Sequence, residues 1–331
     1  MKAFAIDRYN GPLTAREVPD PVAQPGVVLV RIHAASVNPV DSKIRNGEFK
    51  LFLPYRFPLV LGNDFAGVVI GVGAGVRRFR IGDEVYAHPD NDRIGAFAEY
   101  IAVREDNVAP KPKNLSMEEA ASIPLVALTA WQVLVERAQL KKGQKILVHA
   151  GSGGVGTIAI QLAKHLGATV ATTTSSANVE LVKSLGADVI IDYRKQDFAE
   201  LLRDYDVVLN SLGPDILEKS LAVLKPGGKL ISISGPPDPA FAKSIGASWF
   251  FRQAVRLLSL KIRRRAKRHR IDYSFLFMKA NGDQLGEITK LIEAGAIRPV
   301  VDRTFPFDQT PEALAYVDSG RAKGKVVIKV R

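Results

Sequence analysis

Cysteine is absent from this chain of 331 residues, and its five histidines are scattered at positions 33, 88, 149, 165 and 269. The lack of cysteine excludes disulfides, thiolate nucleophiles and every cysteine-ligated zinc or iron–sulfur site. The histidines show no His-Glu-x-x-His or comparable spacing. The sequence therefore predicts a protein without a resident metal.

Long apolar runs are also missing. No stretch reaches the length of about eighteen apolar residues that a membrane-spanning helix needs. Charged residues follow Met1 too soon for the apolar core of a signal peptide. The composition, 47% hydrophobic and 24% charged, is typical of a globular protein, and the length suggests about two domains. We therefore expect a cytoplasmic location.

Acidic residues are outnumbered, with 34 Asp and Glu against 46 Lys and Arg, which gives a net charge of +12. Such a surplus raises the question of a nucleic acid or an anionic membrane as partner. Residues 261–270 hold seven of the cations and no acid, and the rest of the chain carries only +5. No nucleic-acid-binding module is recognisable, so we expect no sequence-specific nucleic-acid partner.

The basic segment follows residues 249–258, whose apolar side chains recur at helical spacing. The two together predict one amphipathic helix with cationic final turns, which the helix dipole favours. One interpretation of residues 261–270 is a solvated helix end. The alternative is a weak peripheral contact with anionic lipid, to which clustered cations are attracted.

Two kinds of secondary-structure pattern alternate along the chain. Residues 1–121 carry short apolar runs broken by Gly and Pro, which indicate a β-rich domain. Residues 280–331, with a helix predicted at 283–294 and a strand at 325–330, are too short for a domain and are expected to complete the first one. Between them strands and helices alternate, and repeated βα units imply a parallel sheet. The strands predicted there are 145–149, 169–173, 189–192, 206–210 and 229–233.

A glycine-rich segment lies between the predicted strand 145–149 and a predicted helix at 157–166. It fits the pattern G-x-G-x-x-G in the βαβ context that the pattern requires. Its glycines permit a tight turn and a close approach of the backbone to a pyrophosphate at the helix N-terminus. This predicts a dinucleotide site whose candidate residues are Gly151, Ser152, Gly153, Gly154, Val155 and Gly156.

The end of the next strand indicates which dinucleotide binds. A cofactor with a free ribose 2′-hydroxyl usually meets Asp or Glu about twenty residues after the glycines. Residues 172–178 read Thr-Thr-Thr-Ser-Ser-Ala-Asn and contain no carboxylate. Their hydroxyls and amide can donate to a 2′-phosphate, so NADP(H) is favoured over NAD. Alternatively these residues cap the following helix, and both interpretations can hold together.

Residues 150–156, with Ala-Leu-Thr-Ala-Trp at 127–131 and Gly-Ala-Asp at 186–188, resemble the medium-chain dehydrogenase/reductase superfamily. Within it, residues 36–41 and 61–64 resemble the zinc-independent quinone oxidoreductase and enone reductase branch. The resemblance covers essentially the whole chain. It implies an α/β fold in which a Rossmann domain, a doubly wound parallel sheet, is inserted in a β-rich GroES-like catalytic domain.

The resemblance places the domain boundaries at 1–121 and 280–331 for the catalytic domain and 122–279 for the NADP-binding domain. The active site is then expected in the cleft between them. Relatives commonly pair edge strands into a homodimer, and residues 273–278 are a plausible edge strand of that kind.

Zinc-dependent relatives have a cysteine-containing segment at 37–41 and Gly-His-Glu where this chain has Gly62-Asn63-Asp64. Without these ligands no metal Lewis acid activates an alcohol, so alcohol oxidation is not expected. Hydride transfer from NADPH to a quinone or an α,β-unsaturated carbonyl needs only donors for the developing oxyanion. A non-catalytic NADPH-binding sensor is the alternative.

The resemblance also implies roles for single residues. Asn38 and Asp41 would line the cleft near the nicotinamide, and Thr129 would contact its carboxamide. Many quinone oxidoreductases carry Lys where Asn178 stands. The remaining residues implied around the cofactor are Thr174, Ser175, Asn178, Tyr193, Asn210, Ser211, Leu212, Gly213, Ser234, Gly235, Phe275 and Phe277.

Lys43 lies two positions after Asp41, where quinone oxidoreductases often have Tyr and enone reductases can carry Lys. An ammonium there would stabilise a developing enolate oxygen or protonate it through water. A solvated surface lysine is the alternative. His149 ends a buried strand and is expected to be packed or bonded to the backbone rather than catalytic.

Overall fold

The structure is a computed structural model that describes every residue from Met1 to Arg331. Its strands are β1 Lys2–Ile6, β2 Thr14–Glu17, β3 Val27–Val37, β4 Leu59–Val60, β5 Asp64–Val72, β6 Glu84–Ala87, β7 Tyr100–Arg104, β8 Val108–Pro110, β9 Lys145–Val148, β10 Thr169–Thr174, β11 Val189–Asp192, β12 Tyr205–Asn210, β13 Leu224–Ser232, β14 Asp272–Phe275, β15 Val301–Pro306 and β16 Lys325–Lys329. Its α-helices are α1 Pro39–Arg45, α2 Met117–Ala121, α3 Pro124–Trp131, α4 Gly154–His165, α5 Val179–Ser184, α6 Phe198–Leu201, α7 Pro214–Lys219, α8 Pro239–Ser244, α9 Trp249–Leu258, α10 Leu260–Arg268, α11 Gly282–Glu293 and α12 Thr310–Asp318.

The chain divides into two compact units. The first unit comprises Met1–Leu128 with Lys279–Arg331, and the second unit comprises Thr129–Met278. Each has its own apolar core, formed in the first by residues such as Phe65 and Phe97 and in the second by residues such as Leu147 and Val208.

The second unit is built on a six-stranded sheet in the order β11-β10-β9-β12-β13-β14, with every neighbouring pair parallel. This confirms the predicted parallel sheet and its strands. Apolar runs such as Ile146–Val148 are wholly buried, as parallel strands covered on both faces require. Relative to β9 the strand order is that of the doubly wound dinucleotide-binding folds. The carboxyl ends of β9, β10, β12 and β13 therefore meet at one edge of the sheet.

The first unit contains a sheet in the order β15-β16-β3-β5-β6-β8, in which β7 also pairs with β3. The C-terminal segment joins this sheet because β16 pairs antiparallel with β3, Val326 opposite Val37. Continuing that register by one residue places Lys325 beside Asn38. On the other side of β3, Ser36 lies opposite Asp64 of β5. Three distant parts of the sequence are thus brought together at the end of β3.

The helix predicted over 249–270 is in fact two helices, α9 and α10, which meet at Ser259. The prediction of one continuous helix was wrong because apolar periodicity does not report a local break. Ser259 is fully buried, and its hydroxyl donates to the Val255 carbonyl at 2.8 Å. A serine that bonds back to the i−4 carbonyl often bends a helix. The expected edge strand at 273–278 is β14, which ends at Phe275 and does lie at the sheet edge.

Candidate active site

The predicted glycine loop turns from β9 into α4. Gly153 is the N-cap of α4 and has no side chain with which to satisfy the first N–H groups of the helix. Two hydrogen bonds join the loop to β10. The Ala150 N–H donates to the Thr173 hydroxyl at 3.1 Å. The Gly151 N–H donates to the Thr173 carbonyl at 3.0 Å. The free N–H groups and the helix dipole therefore form a fixed site for an anion.

Two of the loop glycines are required by close packing. A Cβ on Gly156 would lie 2.3 Å from the Ala150 carbonyl oxygen. A Cβ on Gly151 would lie 2.0 Å from the Thr172 hydroxyl oxygen. Only glycine lets α4 approach the strand this closely, which is the role glycines have in dinucleotide-binding loops. The loop thus fits the pyrophosphate of a dinucleotide.

A group of short polar side chains lies beside the loop and is called here the Ser152 group, comprising Ser152, Thr174, Ser175 and Asn178. The Thr174 hydroxyl and the Asn178 amide each donate to the Ser152 hydroxyl oxygen at 3.1 Å. Ser152 therefore accepts two bonds and retains its own hydrogen for a bound group. The buried Asn178 side-chain oxygen has no partner. The free Ser152 hydrogen and the lack of a carboxylate in the group fit the ribose phosphate of NADP(H), and the Asn178 oxygen can accept from a ribose hydroxyl.

Further polar groups lie at the ends of β12 and β13. The Asn210 amide donates to the Ser232 hydroxyl at 3.1 Å and to the Leu212 carbonyl at 3.0 Å. The Ser232 hydroxyl oxygen also accepts from the Gly235 N–H at 2.7 Å, which orders the loop after β13. The buried Asn210 side-chain oxygen has no partner. Sequence reasoning missed Ser232, although its place at a strand end was a usable signal.

The other candidates in this unit lie as follows. Ser211 is half-buried and donates to the His149 carbonyl at 3.4 Å, and Ser234 donates to the Leu212 carbonyl at 2.6 Å. Gly213 is the exposed N-cap of α7. Thr129 is buried.

Three aromatic candidates lie in the same unit. Phe275 and Phe277 pack against Phe241, with ring centroids 5.2 and 5.8 Å apart, and Tyr193 is 57% exposed. The contacts of all these residues with a cofactor remain predictions.

His149 is buried at the end of β9 and has a partner on each ring nitrogen. Thr173 lies 3.1 Å from Nδ1 and Ser220 lies 2.9 Å from Nε2. Ser220 donates its own hydrogen to the Ile216 carbonyl, so Nε2 is the protonated nitrogen. Burial lowers the pKa of His149 to about 4, which keeps the ring neutral. His149 is therefore packed as predicted, and its ring nitrogens bond to side chains rather than to the backbone.

The first unit contains a buried polar cluster, called here the Asp64 cluster, comprising Ser36, Asn38, Asp41, Asn63, Asp64 and Lys325. Asp64 is its centre and is fully buried. Its Oδ2 accepts from the Asn38 amide at 2.8 Å and from the Ser36 hydroxyl at 3.0 Å. Its Oδ1 accepts from the Leu125 N–H at 2.8 Å. One carboxylate therefore ties β3 and β5 to the start of α3.

Lys325 supplies the cation of the cluster. Its Nζ is 3.5 Å from Asp64 Oδ2 and donates to the Asn38 side-chain oxygen and, at 3.2 Å, to the Val37 carbonyl. Burial would raise the pKa of Asp64, but the charge of Lys325, the His88 ring 3.6 Å away and the bond from Asn38 hold it below its usual value. Burial lowers the pKa of Lys325, and the two nearby carboxylates oppose this. Asp64 and Lys325 therefore form a buried ion pair.

Asp41 links the Asp64 cluster to the start of α1 and to Asn63. Its Oδ2 accepts from the Asn38 N–H at 2.7 Å in the capping box of α1, and its Oδ1 accepts from the Asn63 amide at 2.6 Å. Burial raises the pKa of Asp41 to about 7, against the lowering effect of these two bonds. Every side-chain polar atom of Asn38 and Asp41 is thus already bonded within the protein.

The structure places the third catalytic candidate, Lys43, two residues further along α1. It lies in the last turn of this helix and is half-buried. The capping box at Asn38 fixes the start of the same helix, so the Asp64 cluster determines where Lys43 stands. No group of three or more His, Cys, Asp or Glu residues in the chain is arranged to hold a metal ion.

Sequence reasoning did not assign a role to Asn63, Asp64 or Lys325. The first two served only as part of the family motif at residues 61–64, in which they stand where zinc-dependent relatives have His-Glu. Lys325 is separated from Asn38 by 287 positions, and a charged residue at a strand start carries no signal of its own. A predicted register between β16 and β3 was the information needed to find it.

Comparison with known proteins agrees with this description. The family model described as an alcohol dehydrogenase GroES-like domain matches residues 24–113, and the one described as a zinc-binding dehydrogenase matches residues 185–328. The chain is 39% identical to the 2-methylene-furan-3-one reductase of Solanum lycopersicum, over 99% of this chain and 79% of that protein. It is 37% identical, with the same coverage, to the chloroplastic NADPH-dependent alkenal/one oxidoreductase of Arabidopsis thaliana.

A solved structure shows the same fold. The quinone oxidoreductase of Coxiella burnetii superimposes with a TM-score of 0.87 at 33% identity, covering 100% of this chain and 99% of that one. Relatives of this identity and coverage share the fold and the order of the motifs from end to end. The chain therefore belongs to the medium-chain dehydrogenase/reductase superfamily, in its quinone oxidoreductase and enone reductase branch.

Proposed function

We propose that this protein uses NADPH to reduce quinones or α,β-unsaturated carbonyl compounds. The observation that carries the proposal is the Ser152 group beside the glycine loop, which leaves the Ser152 hydroxyl hydrogen free to donate and holds no carboxylate to repel a phosphorylated ribose. The activities named for the tomato and Arabidopsis thaliana relatives support the same class of reaction.

The second unit binds and orients the cofactor. The free N–H groups at the start of α4 would hold the pyrophosphate, and the Ser152 hydroxyl would donate its hydrogen to the ribose phosphate. Bound NADPH supplies a hydride to the electrophilic carbon of the substrate. As that bond forms, the electron pair of the conjugated system moves to the carbonyl oxygen, which then takes a proton.

Lys43 is the group that we assign to this oxygen. An ammonium stabilises the negative charge that develops there, and it protonates the product directly or through water. Asn38 and Asp41 are assigned as positioning residues, because all their side-chain polar atoms have partners and none is left for a substrate. They hold the N-terminus of α1, which carries Lys43.

A screen of NADPH oxidation against quinones, 2-alkenals and cyclic enones tests the reaction. We expect turnover with at least one of these classes. A protein that binds NADPH and oxidises it with none of them would support a non-catalytic cofactor sensor instead.

Lys43→Ala tests the assigned residue. We expect kcat to fall about a hundredfold, the usual contribution of a positioned proton donor, while the Kd for NADPH stays unchanged. Lys50→Ala, at an exposed lysine shortly after α1, is the matched control and leaves both quantities unchanged. Undiminished turnover of enones by Lys43→Ala would remove Lys43 from the mechanism.

We also propose a homodimer through β14. This strand is the last of its sheet and leaves one edge without a partner strand, and a two-fold axis there would continue the sheet into a second copy. Sedimentation equilibrium checks the proposal, since a single species of monomer mass would contradict it.

Finally, we propose that residues 261–270 make a weak contact with anionic lipid, since they carry seven cations and no acid. No helix of the structure is both long and apolar enough to cross a bilayer. A cytoplasmic location stays a prediction, and the Arabidopsis thaliana relative is named as a chloroplastic protein.

A further inference from the structure

The segment between Asp238 and Asp272 has an unusual composition for a folded surface. It contains ten Lys and Arg residues and no Asp or Glu. The structure folds it into α8, α9 and α10, which lead into the edge strand β14. A partner for this surface therefore has to accommodate a high density of positive charge.

The helix α9 turns apolar side chains outward as well as inward. Val255 faces the protein and is buried. Phe250 and Leu257, on the opposite side, are 79% and 70% exposed, and Leu258, at the edge of that side, is 66% exposed. Their spacing of seven and eight residues places them along one face of a helix, here called the apolar stripe. Trp249 packs edge-on against Phe250 and is itself exposed.

The helix α10 turns cations outward. Ile262 and Ala266 are buried on its inner side, and Arg264, Lys267 and Arg268 are exposed on its outer side, here called the cationic stripe. The other two exposed cations, Lys261 and Arg265, form ion pairs with Glu218 of α7. Glu218 thus fixes α10 to the unit but neutralises none of the cationic stripe.

We propose that the apolar stripe and the cationic stripe together form a docking surface for an anionic membrane. The apolar stripe enters the boundary between headgroups and acyl chains, and the cationic stripe binds the anionic headgroups. This deepens the lipid contact proposed above for residues 261–270 and rests on it. The new element is the insertion of α9 into the bilayer. Burial of its apolar side chains adds to the attraction between the cations and the anionic headgroups.

The charge distribution favours a membrane over a second copy of the chain. In a two-fold interface a patch packs against itself, so the cations of α9 and α10 would be brought close to the same cations of the other copy. Between Asp238 and Asp272 no acid is present to neutralise them. An anionic bilayer supplies apolar and negative groups at once, and Trp and Phe are side chains suited to its interface.

The test measures binding of the full chain to sedimented vesicles of phosphatidylcholine, with and without phosphatidylglycerol, at low and high salt. We expect binding only with phosphatidylglycerol and weakening with salt. Arg264→Gln/Arg268→Gln should weaken binding about fivefold for each cation removed. Phe250→Ser/Leu257→Ser should weaken it about tenfold or more.

Matched controls carry the same changes elsewhere on the second unit. Lys141→Gln/Lys183→Gln removes two exposed cations, and Leu201→Ser removes a side chain that is 55% exposed. Both should bind vesicles as the unaltered protein does. Circular dichroism confirms that each variant is folded, and NADPH oxidation is measured in parallel because no altered residue belongs to the cofactor site.

Three outcomes would overturn the proposal. Absence of binding to phosphatidylglycerol vesicles at low salt removes the lipid contact altogether. If Arg264→Gln/Arg268→Gln weakens vesicle binding but Phe250→Ser/Leu257→Ser does not, the contact is through charge alone and only the insertion by α9 is refuted. A dimer that dissociates in Phe250→Ser/Leu257→Ser shows that a second copy covers the apolar stripe. None of these results bears on the proposed reduction, which the oxidation assay decides separately.

Discussion

The Asp64 cluster of the first unit and the carboxyl edge of the parallel sheet in the second differ in how fully their amide and carboxylate groups are bonded. In the Asp64 cluster, Asn38, Asp41 and Asp64 have a partner on every side-chain oxygen and nitrogen. At the carboxyl edge of the parallel sheet, Asn178 and Asn210 each keep a buried oxygen without a partner. The amides and carboxylates of the first arrangement are bonded within the protein, whereas each amide of the second keeps one acceptor free. The comparison separates residues whose bonds hold the protein together from residues that keep an acceptor free for the cofactor proposed above.

The physical reason lies in the penalty for burying polar groups. An unpaired buried charge is costly, so the cluster is stable only while both members of its ion pair are present. An unpartnered amide oxygen is a smaller penalty, which a folded protein tolerates at a binding site. Damage to the Asp64 cluster should therefore appear first as lost stability. Damage to the loop should appear first as lost cofactor affinity.

The largest effect is expected for Lys325→Met, which keeps the length of the side chain and removes its charge. Asp64 is then left buried without its cation, and the free energy of unfolding of the first unit should fall by about 3–5 kcal/mol. Hydrogen exchange in β3, β5 and β16 measures this locally. Trp131 and Trp249 both lie in the second unit, so their fluorescence shows whether that unit remains folded.

The control is Lys329→Met, in the same strand. Lys329 is mostly exposed and pairs with Glu118 at 3.4 Å, so its loss should change the free energy of unfolding by less than about 1 kcal/mol. Adding Asp64→Asn to Lys325→Met should recover part of the lost stability, because no unpaired charge then remains. Equal stability of Lys325→Met and Lys329→Met would refute the account of the cluster.

A smaller effect, seen in binding rather than folding, is expected for Gly156→Ala. The added Cβ would lie 2.3 Å from the Ala150 carbonyl oxygen, so the loop must move away from the start of α4. Overpacking of this kind costs about 1–3 kcal/mol, and the Kd for NADPH should rise about tenfold to a hundredfold. Isothermal titration with NADPH measures the change.

Two further glycine variants sharpen this result. Gly286→Ala in α11 has no neighbour within 4 Å and should leave the Kd for NADPH unchanged. Gly153→Ala meets nothing closer than 3.4 Å in the protein itself. A weaker affinity for NADPH in Gly153→Ala with unchanged thermal stability would therefore report the close approach of the pyrophosphate. If Gly156→Ala binds NADPH normally, the loop has more freedom than its packing indicates.

The second unit was largely predictable from the sequence because its signals are local. A buried strand such as β9 is a continuous apolar run, and the glycine loop follows it directly. The Asp64 cluster was not predictable because sheet register creates it. Ser36 meets Asp64 and Lys325 meets Asn38 only once β5 and β16 have paired with β3. No window of sequence contains both partners.

The exposed face of α9 shows a different limit. Phe251 and Val255 lie on one side of the helix, and Phe250 and Leu257 lie on the other. Apolar periodicity predicts that a helix forms, but it does not say which side is buried when both are apolar. Only the packed structure distinguishes the core face from the surface face.

A pH dependence of stability is also expected, and it arises in the Asp64 cluster. Burial raises the pKa of Asp41 from 3.8 to about 7. Between these values the folded protein binds more protons than the unfolded chain, so stability falls as pH rises through this window. One proton corresponds to at most about 1.4 kcal/mol per pH unit. Asp41→Asn carries no such proton, and this part of the slope should disappear.

Urea unfolding at several pH values between the two pKa values measures the slope. Asp106→Asn, at an exposed carboxyl in the same unit, is the control and should keep the slope of the unaltered protein. The Asn side chain retains an oxygen for the Asn38 N–H, and a rotated Asn63 amide can accept from its nitrogen. The Ser152 group contains no side chain that titrates in this range. We therefore expect the Asp64 cluster, and not the Ser152 group, to contribute to the pH dependence of stability. An unchanged slope in Asp41→Asn would mean that the carboxyl is already ionised in the folded protein, with Lys325 shared between two carboxylates.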